Sequence, residues 1–288
     1  MNRAGVDIGT NTMRLLIVDD DGVTLERLVE ITGLGTGLDA TGSLAEDAVD
    51  HTLEVLSTFG HTIADHDCGQ VRVVATAASR DAYNGDEFIA RVTDALGHRP
   101  EVIGGAEEAR LAYAGAMAAL DPPPGVTPVV VDIGGGSTEF VDAANAVSSR
   151  IGSVRITDRM LTERPVGFGR LVDTSRAIEA VLEAHPEPGV RYWMVGVAGT
   201  WTSIAGLLRG EYVVGEMHGS VVSRLELDRL VITLAATGFE ATAELPGLHP
   251  KRARVILGGA MIAREAMRRF DVQEVTVSES DLLDALVL

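Results

Sequence analysis

Apolar and polar positions follow two periods along this chain, and the change from one to the other occurs twice in the same order. Apolar β-formers run through residues 5–19 and resume at 23–31. Further on they run through 127–133, 138–142 and 148–154, so each half opens on what reads as successive antiparallel hairpins. Helical spacing then takes over. Ala45, Val49, Leu53, Leu56 and Phe59 fall at helical intervals behind Ser43-Leu44-Ala45-Glu46, a capping-box pattern that predicts a helix through Phe59. Further helices are predicted over 86–96, 106–120, 200–208, 225–236 and 250–270, with Gly258-Gly259-Ala260 read as a close packing site inside the last. Short buried-strand runs at 71–75, 101–103, 192–197 and 274–277 separate them. A hairpin start followed by alternating helix and strand, performed twice, is a mixed-sheet α/β plan.

The one strong break in composition is Asp121-Pro122-Pro123-Pro124-Gly125, where three prolines exclude helix. The chain therefore divides into lobes over 1–121 and 125–277, with 278–288 read as a terminal helix returning to the first lobe. Composition narrows the function classes. Of 288 residues 46% are hydrophobic, enough for a sizeable core. The balance of 24 basic to 42 acidic residues, net −18, argues against a nucleic-acid surface, which needs many cations on one face. Neither a signal peptide nor a membrane span is expected: Asp7 and Arg14 break the first apolar run, and the longest uncharged run, 192–208, is short and rich in Gly, Ser and Thr. The lone Cys68 cannot form an internal disulfide, which fits a cytoplasmic location. His51, His61, His66, His98, His185, His218 and His249 show no metal-ligand spacing, and structural or surface roles are expected for them.

The candidate chemistry lies in a repeated tetrapeptide. Val-Asp-Ile-Gly occurs at 6–9 and again at 131–134, each time between strand patterns. After the second copy, Gly134-Gly135-Gly136-Ser137-Thr138 forms a hairpin turn in which three glycines permit positive φ and let backbone N–H groups converge on an anion. After the first, Gly9-Thr10-Asn11-Thr12 offers hydroxyls and an amide, and Arg14 follows on the strand. Taken alone that turn reads equally well as a polar hairpin with a solvated arginine. Two such loops facing each other would clamp a phosphate chain. Asp7, Asp132 and Glu139 would then be placed to hold Mg²⁺ or Mn²⁺, hard cations that prefer carboxylate, water and phosphate oxygens. Each acid on its own is more commonly a surface or turn-capping residue.

These motifs, with Ala75-Thr76-Ala77-Ala78-Ser79-Arg80-Asp81-Ala82, Glu107-Glu108-Ala109-Arg110-Leu111, Gly152-Ser153-Val154-Arg155, Val197-Ala198-Gly199-Thr200, Leu245-Pro246-Gly247-Leu248 and Val277-Ser278-Glu279, resemble the exopolyphosphatase/guanosine pentaphosphate phosphatase (Ppx/GppA) family along nearly the whole chain. The resemblance implies two ribonuclease-H-like lobes of the actin/Hsp70/sugar-kinase (ASKHA) superfamily, with a cleft that hydrolyses terminal phosphoanhydrides with Mg²⁺. It places Glu108 on the family's water-activating glutamate and Arg80 on its cleft arginine, and both suit phosphoryl transfer, which is mostly positioning and charge neutralisation. Spacing alone does not choose between Glu107 and Glu108. The expected substrate is inorganic polyphosphate or guanosine pentaphosphate, and a homodimer would lengthen the cleft. An ATP-using kinase or ATPase of the same superfamily would need an adenine pocket near 196–200; a catalytically weak polyphosphate- or alarmone-binding regulator is the third reading. Three departures from the family pattern stand out: Gly33, where an arginine is common; Arg254, where Asp is common; and Trp201, where a small or aliphatic residue is usual.

Overall fold

The computed structural model describes residues 1–184 and 186–288, so His185 lies outside the described residues. The chain forms two compact units, Met1–Leu111 with Leu282–Leu288, and Ala112–Asp281. The division falls inside a helix and not at Pro122-Pro123-Pro124.

The first unit opens on the meander β1 (Arg3–Ile8), β2 (Thr12–Val18) and β3 (Thr24–Ile31), followed by α1 (Leu38–Thr41), α2 (Glu46–Asp65), β4 (Gln70–Ala75), α3 (Ala77–Asp81), α4 (Gly85–Leu96), β5 (Glu101–Val102) and α5 (Gly105–Ala119). The sheet order is β3-β2-β1-β4-β5, with the meander antiparallel and β4 and β5 parallel to β1. Strand β1 lies inside the sheet and is buried on both faces, with Ala4, Val6 and Ile8 on one and Gly5 and Asp7 on the other. Val6 and Ile8 join Leu56 and Phe59 of α2 and Phe88 and Val92 of α4 in one core cluster. The predicted capping box does not form. Helix α2 starts at Glu46 behind Ala45 with no side-chain cap and runs beyond Phe59 to Asp65. Ser43 is held in a turn by Thr41, which donates its hydroxyl to the Ser43 carbonyl and accepts the Ser43 N–H, and the Glu46 carboxylate is taken by Arg91.

The second unit repeats the order. Strands β6 (Thr127–Ile133), β7 (Thr138–Val141) and β8 (Ala146–Ser149) form the meander; α6 (Ser153–Met160), α7 (Phe168–Val181), β9 (Tyr192–Val197), α8 (Ala198–Arg209), β10 (Val221–Ser223), α9 (Arg224–Ala236), α10 (Phe239–Ala243), a 3-10 turn (Pro250–Arg252), α11 (Ile256–Arg269) and β11 (Glu274–Val277) follow. Its sheet runs β10-β11-β9-β6-β7-β8, with β6, β9 and β11 parallel. Numbered from its own first strand this sheet reads 3-2-1-4-6-5 against 3-2-1-4-5 in the first unit, so β11 takes the place of β5 and the antiparallel β10 is added outside it. The strand predicted over 148–154 stops at Ser149 and gives way to α6. The helix predicted over 250–270 divides into the 3-10 turn and α11. Helix α11 is buried nearly all round, as a helix at the centre of a core must be. Its Gly258 and Gly259 sit close against α6 and Thr200, the packing role expected of them. In place of a long terminal helix there is a single turn, α12 (Leu282–Ala285), whose segment packs on β1 and β2. Among the described residues no helix is long and apolar enough to cross a membrane.

Candidate active site

The two Val-Asp-Ile-Gly copies build the same hairpin. Gly9 N–H donates to Thr12 O at 3.1 Å, and Gly134 N–H donates to Ser137 O at 3.0 Å. In the first unit Asp7 stands directly opposite Arg14, and in the second Asp132 stands directly opposite Glu139. Opposed residues of an antiparallel pair share a face and touch, so one substitution changes the electrostatics of the whole site. Arg14 donates from Nε at 2.9 Å and from Nη2 at 2.7 Å to Oδ2 of the buried Asp7. At the matching place the second unit sets two buried acids together, Asp132 at 6% and Glu139 at 1% exposure, with Ser148 Oγ donating to Glu139 Oε1 at 2.6 Å.

Behind each turn lies a brace that the sequence reading did not find. In the first, Gly35 N–H donates to Thr10 O at 2.7 Å, and the N–H groups of Thr32 and Gly33 both donate to Asn11 O at 3.1 Å. In the second, the first amides of α6 do this work: Ser153 N–H donates to Gly134 O, and those of Val154 and Arg155 donate to Gly135 O, at 2.9–3.2 Å. Arg155 Nε donates to Gly136 O at 2.9 Å. A trans peptide carries its C=O and the following N–H on opposite sides. Because the carbonyls of 134–136 all point into the brace, the N–H groups of Gly135, Gly136 and Ser137 point away from it. None of the three donates to an acceptor among the described residues, although Gly136 and Ser137 are buried. A buried donor without an acceptor is costly, and successive amides on one side of a turn can bind an anion. The physical reason for the glycines differs from the expected one. The glycines with left-handed φ are elsewhere, Gly33 at 69° among them, and the close approach is made by Gly152 of the brace, where a Cβ would lie 2.4 Å from Gly135 O. Thr138, proposed with the turn, is fully buried and donates its hydroxyl to Ile151 O at 2.6 Å.

Glu108 and Arg80 come together in the first unit. Arg80, on α3, donates from Nη1 to Ile103 O at 2.9 Å, just ahead of α5, and the same nitrogen lies 3.8 Å from Glu108 Oε2. Glu108 is 8% exposed, whereas the Glu107 side chain is half exposed and pairs with Arg72 at 3.3 Å. The two neighbouring acids thus face different surroundings, which the spacing could not decide. Among the described residues no group of three or more His, Cys, Asp or Glu side chains is gathered as a metal cage. The donor chemistry of Asp132 and Glu139 nevertheless fits Mg²⁺, which is usually held by one or two carboxylates together with substrate phosphates. Asp7, proposed as a third ligand, would share its carboxylate with Arg14.

In the segment considered for adenine, Gly196, Val197 and Thr200 are buried while Ala198 and Gly199 are half-buried. Trp201 is fully buried and its indole lies flat on Gly196, where a Cβ would come within 2.4 Å of the ring, while Thr200 donates its hydroxyl to Ile133 O at 2.8 Å. Of the other departures, Arg254 donates to Asp158 Oδ1 at 2.6 Å, and Gly33 takes a left-handed backbone that disfavours any side chain.

The family model of the Ppx/GppA phosphatase family matches residues 16–286. The chain belongs to that family. It is 37% identical to exopolyphosphatase 2 of Mycobacterium tuberculosis, over 99% of this chain and 97% of the relative. A solved exopolyphosphatase-like protein superimposes with a TM-score of 0.93 at 30% identity, covering 100% of this chain and 98% of the other. The Ppx/GppA enzyme of Aquifex aeolicus gives 0.82 at 31%, covering 99% and 98%.

Proposed function

We propose that the protein is a phosphoanhydride hydrolase that releases terminal orthophosphate from inorganic polyphosphate, from guanosine pentaphosphate, or from both, with Mg²⁺ or Mn²⁺ as its cofactor. The observation that carries this reading is the set of three amides, Gly135, Gly136 and Ser137, aimed away from their brace with no acceptor among the described residues. Phosphate oxygens are the natural acceptors for such a set. Gly9, Thr10, Asn11 and Thr12 supply the equivalent turn of the first unit.

Glu108 orients the attacking water and takes its proton. Arg80 keeps that carboxylate in place, and Arg14, itself fixed by Asp7, adds positive charge near the first turn. The metal, when bound, neutralises charge on phosphate oxygens that the enzyme would otherwise have to meet with cations alone. Asp132 and Glu139 would hold it, because their opposed buried carboxylates offer the hard oxygen donors that Mg²⁺ takes together with substrate phosphates.

The test is orthophosphate release by purified protein with Mg²⁺ from long-chain polyphosphate, guanosine pentaphosphate and ATP. Release from either of the first two, well above that from ATP, is the expected result. Turnover of ATP alone would overturn the proposal in favour of a kinase-like activity, and binding of polyphosphate without turnover would make the protein a regulator.

A further inference from the structure

A glycine-rich turn has a weakness as an anion site. Each peptide between glycines can flip at little steric cost, and a flip replaces an N–H facing the phosphate by a carbonyl oxygen that repels it. The three-glycine turn at 134–136 needs its carbonyls held, and the braces do that. We infer that the braces set the affinity of the two turns for phosphate, with Gly35, Gly152 and Arg155 as their positioning residues. The inference rests on the proposal that the turns bind phosphate, and it adds residues that do not themselves touch the anion.

Three observations carry it. Arg155 is 9% exposed and donates Nε to Gly136 O at 2.9 Å, so it fixes the peptide whose N–H belongs to Ser137. Gly152 lets α6 approach the turn: a Cβ there would lie 2.4 Å from the carbonyl carbon and oxygen of Gly135 and 2.6 Å from Gly136 N. These are backbone atoms of the turn itself, so relief of the clash displaces either the turn or the start of α6 that holds its carbonyls, and both loosen the brace. At the first turn the approach of Gly35 is limited mainly by a side chain: a Cβ would lie 2.3 Å from Thr10 Cγ2 and 3.2 Å from Thr10 O. The two braces have unrelated structures, a loop in one unit and a helix start in the other, yet both engage the carbonyl side of the turn.

The experiment measures kcat and KM for polyphosphate, the inhibition constant for orthophosphate and the thermal midpoint. It compares wild type with Gly152→Ala, Gly35→Ala, Arg155→Gln and Arg155→Lys, with Gly169→Ala in α7, where a Cβ meets open space, as the control. KM and the inhibition constant are expected to rise together by about tenfold in Gly152→Ala and Arg155→Gln, the scale of one lost hydrogen bond to a charged group. Arg155→Lys, which keeps a donor, should show a smaller rise, and the control none. A purely structural role would instead lower kcat in proportion to the unfolded fraction and leave both constants unchanged, which would overturn the inference. Should the glycine variants fail to fold, the two Arg155 variants decide it: wild-type constants in both overturn it. Failure of the wild type to bind orthophosphate or cleave any phosphoanhydride overturns the proposed function and this inference together, whereas an active wild type with indifferent variants overturns this inference alone.

Discussion

Replacing Glu108 by glutamine removes one negative charge and leaves the side-chain volume almost unchanged, so its effect on folding can be separated from its effect on chemistry. The carboxylate is 8% exposed and lies 3.8 Å from Arg80 Nη1. At an effective dielectric of about 20 the attraction at that distance is about 4 kcal/mol. Desolvation of the carboxylate offsets most of it, leaving a net loss of about 1 kcal/mol in the variant. Arg80 keeps its bond to Ile103 O and its contact with Asp81, so no buried cation is stranded. A loss of that size lowers the melting temperature of a domain this large by roughly 2–4 °C. Loss of a general base costs about 10²- to 10⁴-fold in rate, equivalent to roughly 3–5 kcal/mol in the activation barrier. The assay is initial-rate orthophosphate release under saturating polyphosphate, beside a thermal melt of the same preparation. Glu107→Gln is the internal comparison, because Glu107 is directed to Arg72 and solvent. The reasoning is refuted if Glu108→Gln keeps more than a third of wild-type kcat, or if Glu107→Gln loses as much as Glu108→Gln does.

Chelation of divalent cations should abolish turnover, and Asp132→Asn or Glu139→Gln should raise the Mg²⁺ concentration for half-maximal rate by about tenfold, since a magnesium site of this kind has only one or two protein carboxylates; an unchanged titration would remove these acids from the metal site. Trp201→Ala should lower the free energy of unfolding by about 3–5 kcal/mol in a urea titration, because the ring is wholly buried against Gly196. At the start of α9, Ser223 and Glu226 form a reciprocal cap, and the Ser223 hydroxyl and N–H hold the Glu226 carboxyl below its ordinary range. Its lowered value in the folded state means that the stabilisation is present at neutral pH and lost as pH falls below the ordinary glutamate value of about 4.3. Ser223→Ala should therefore cost about 1 kcal/mol at pH 7, with the gap to wild type narrowing at pH 3 in parallel urea titrations.

The duplicated hairpins were legible because β1 and β6 are buried on both faces and written as unbroken apolar runs that end at a repeated Asp-Ile-Gly. The alternation after them was legible for long helices such as α4 and α11. What failed were short elements whose fate is set by distant partners. Ile151, Val154 and Ile156 continue the look of a strand, but Gly152 breaks it and the following amides find the carbonyls of 134–136, so α6 forms instead. Ser43 and Glu46 had the right spacing for a cap, yet Thr41 and Arg91 outcompeted it, while the cap that does form, Ser223 with Glu226, opens a helix predicted on apolar spacing alone. At the site, residue types disclosed the acids and the turns. The braces stayed hidden because a backbone donor has no signature in the sequence, and the separation of Glu107 from Glu108 depends on which face of α5 meets Arg80.

Terminal hydrolysis is distinguished most directly by how the first orthophosphate leaves the substrate. Polyphosphate and guanosine pentaphosphate should each be incubated with the enzyme and Mg²⁺ in ¹⁸O-labelled water, with products followed by mass and chain length from the earliest turnovers. The prediction is orthophosphate from the outset, carrying one solvent oxygen, while the remaining substrate shortens from its end. Fragments of intermediate length appearing ahead of orthophosphate, unlabelled orthophosphate, or no release from either substrate would contradict it.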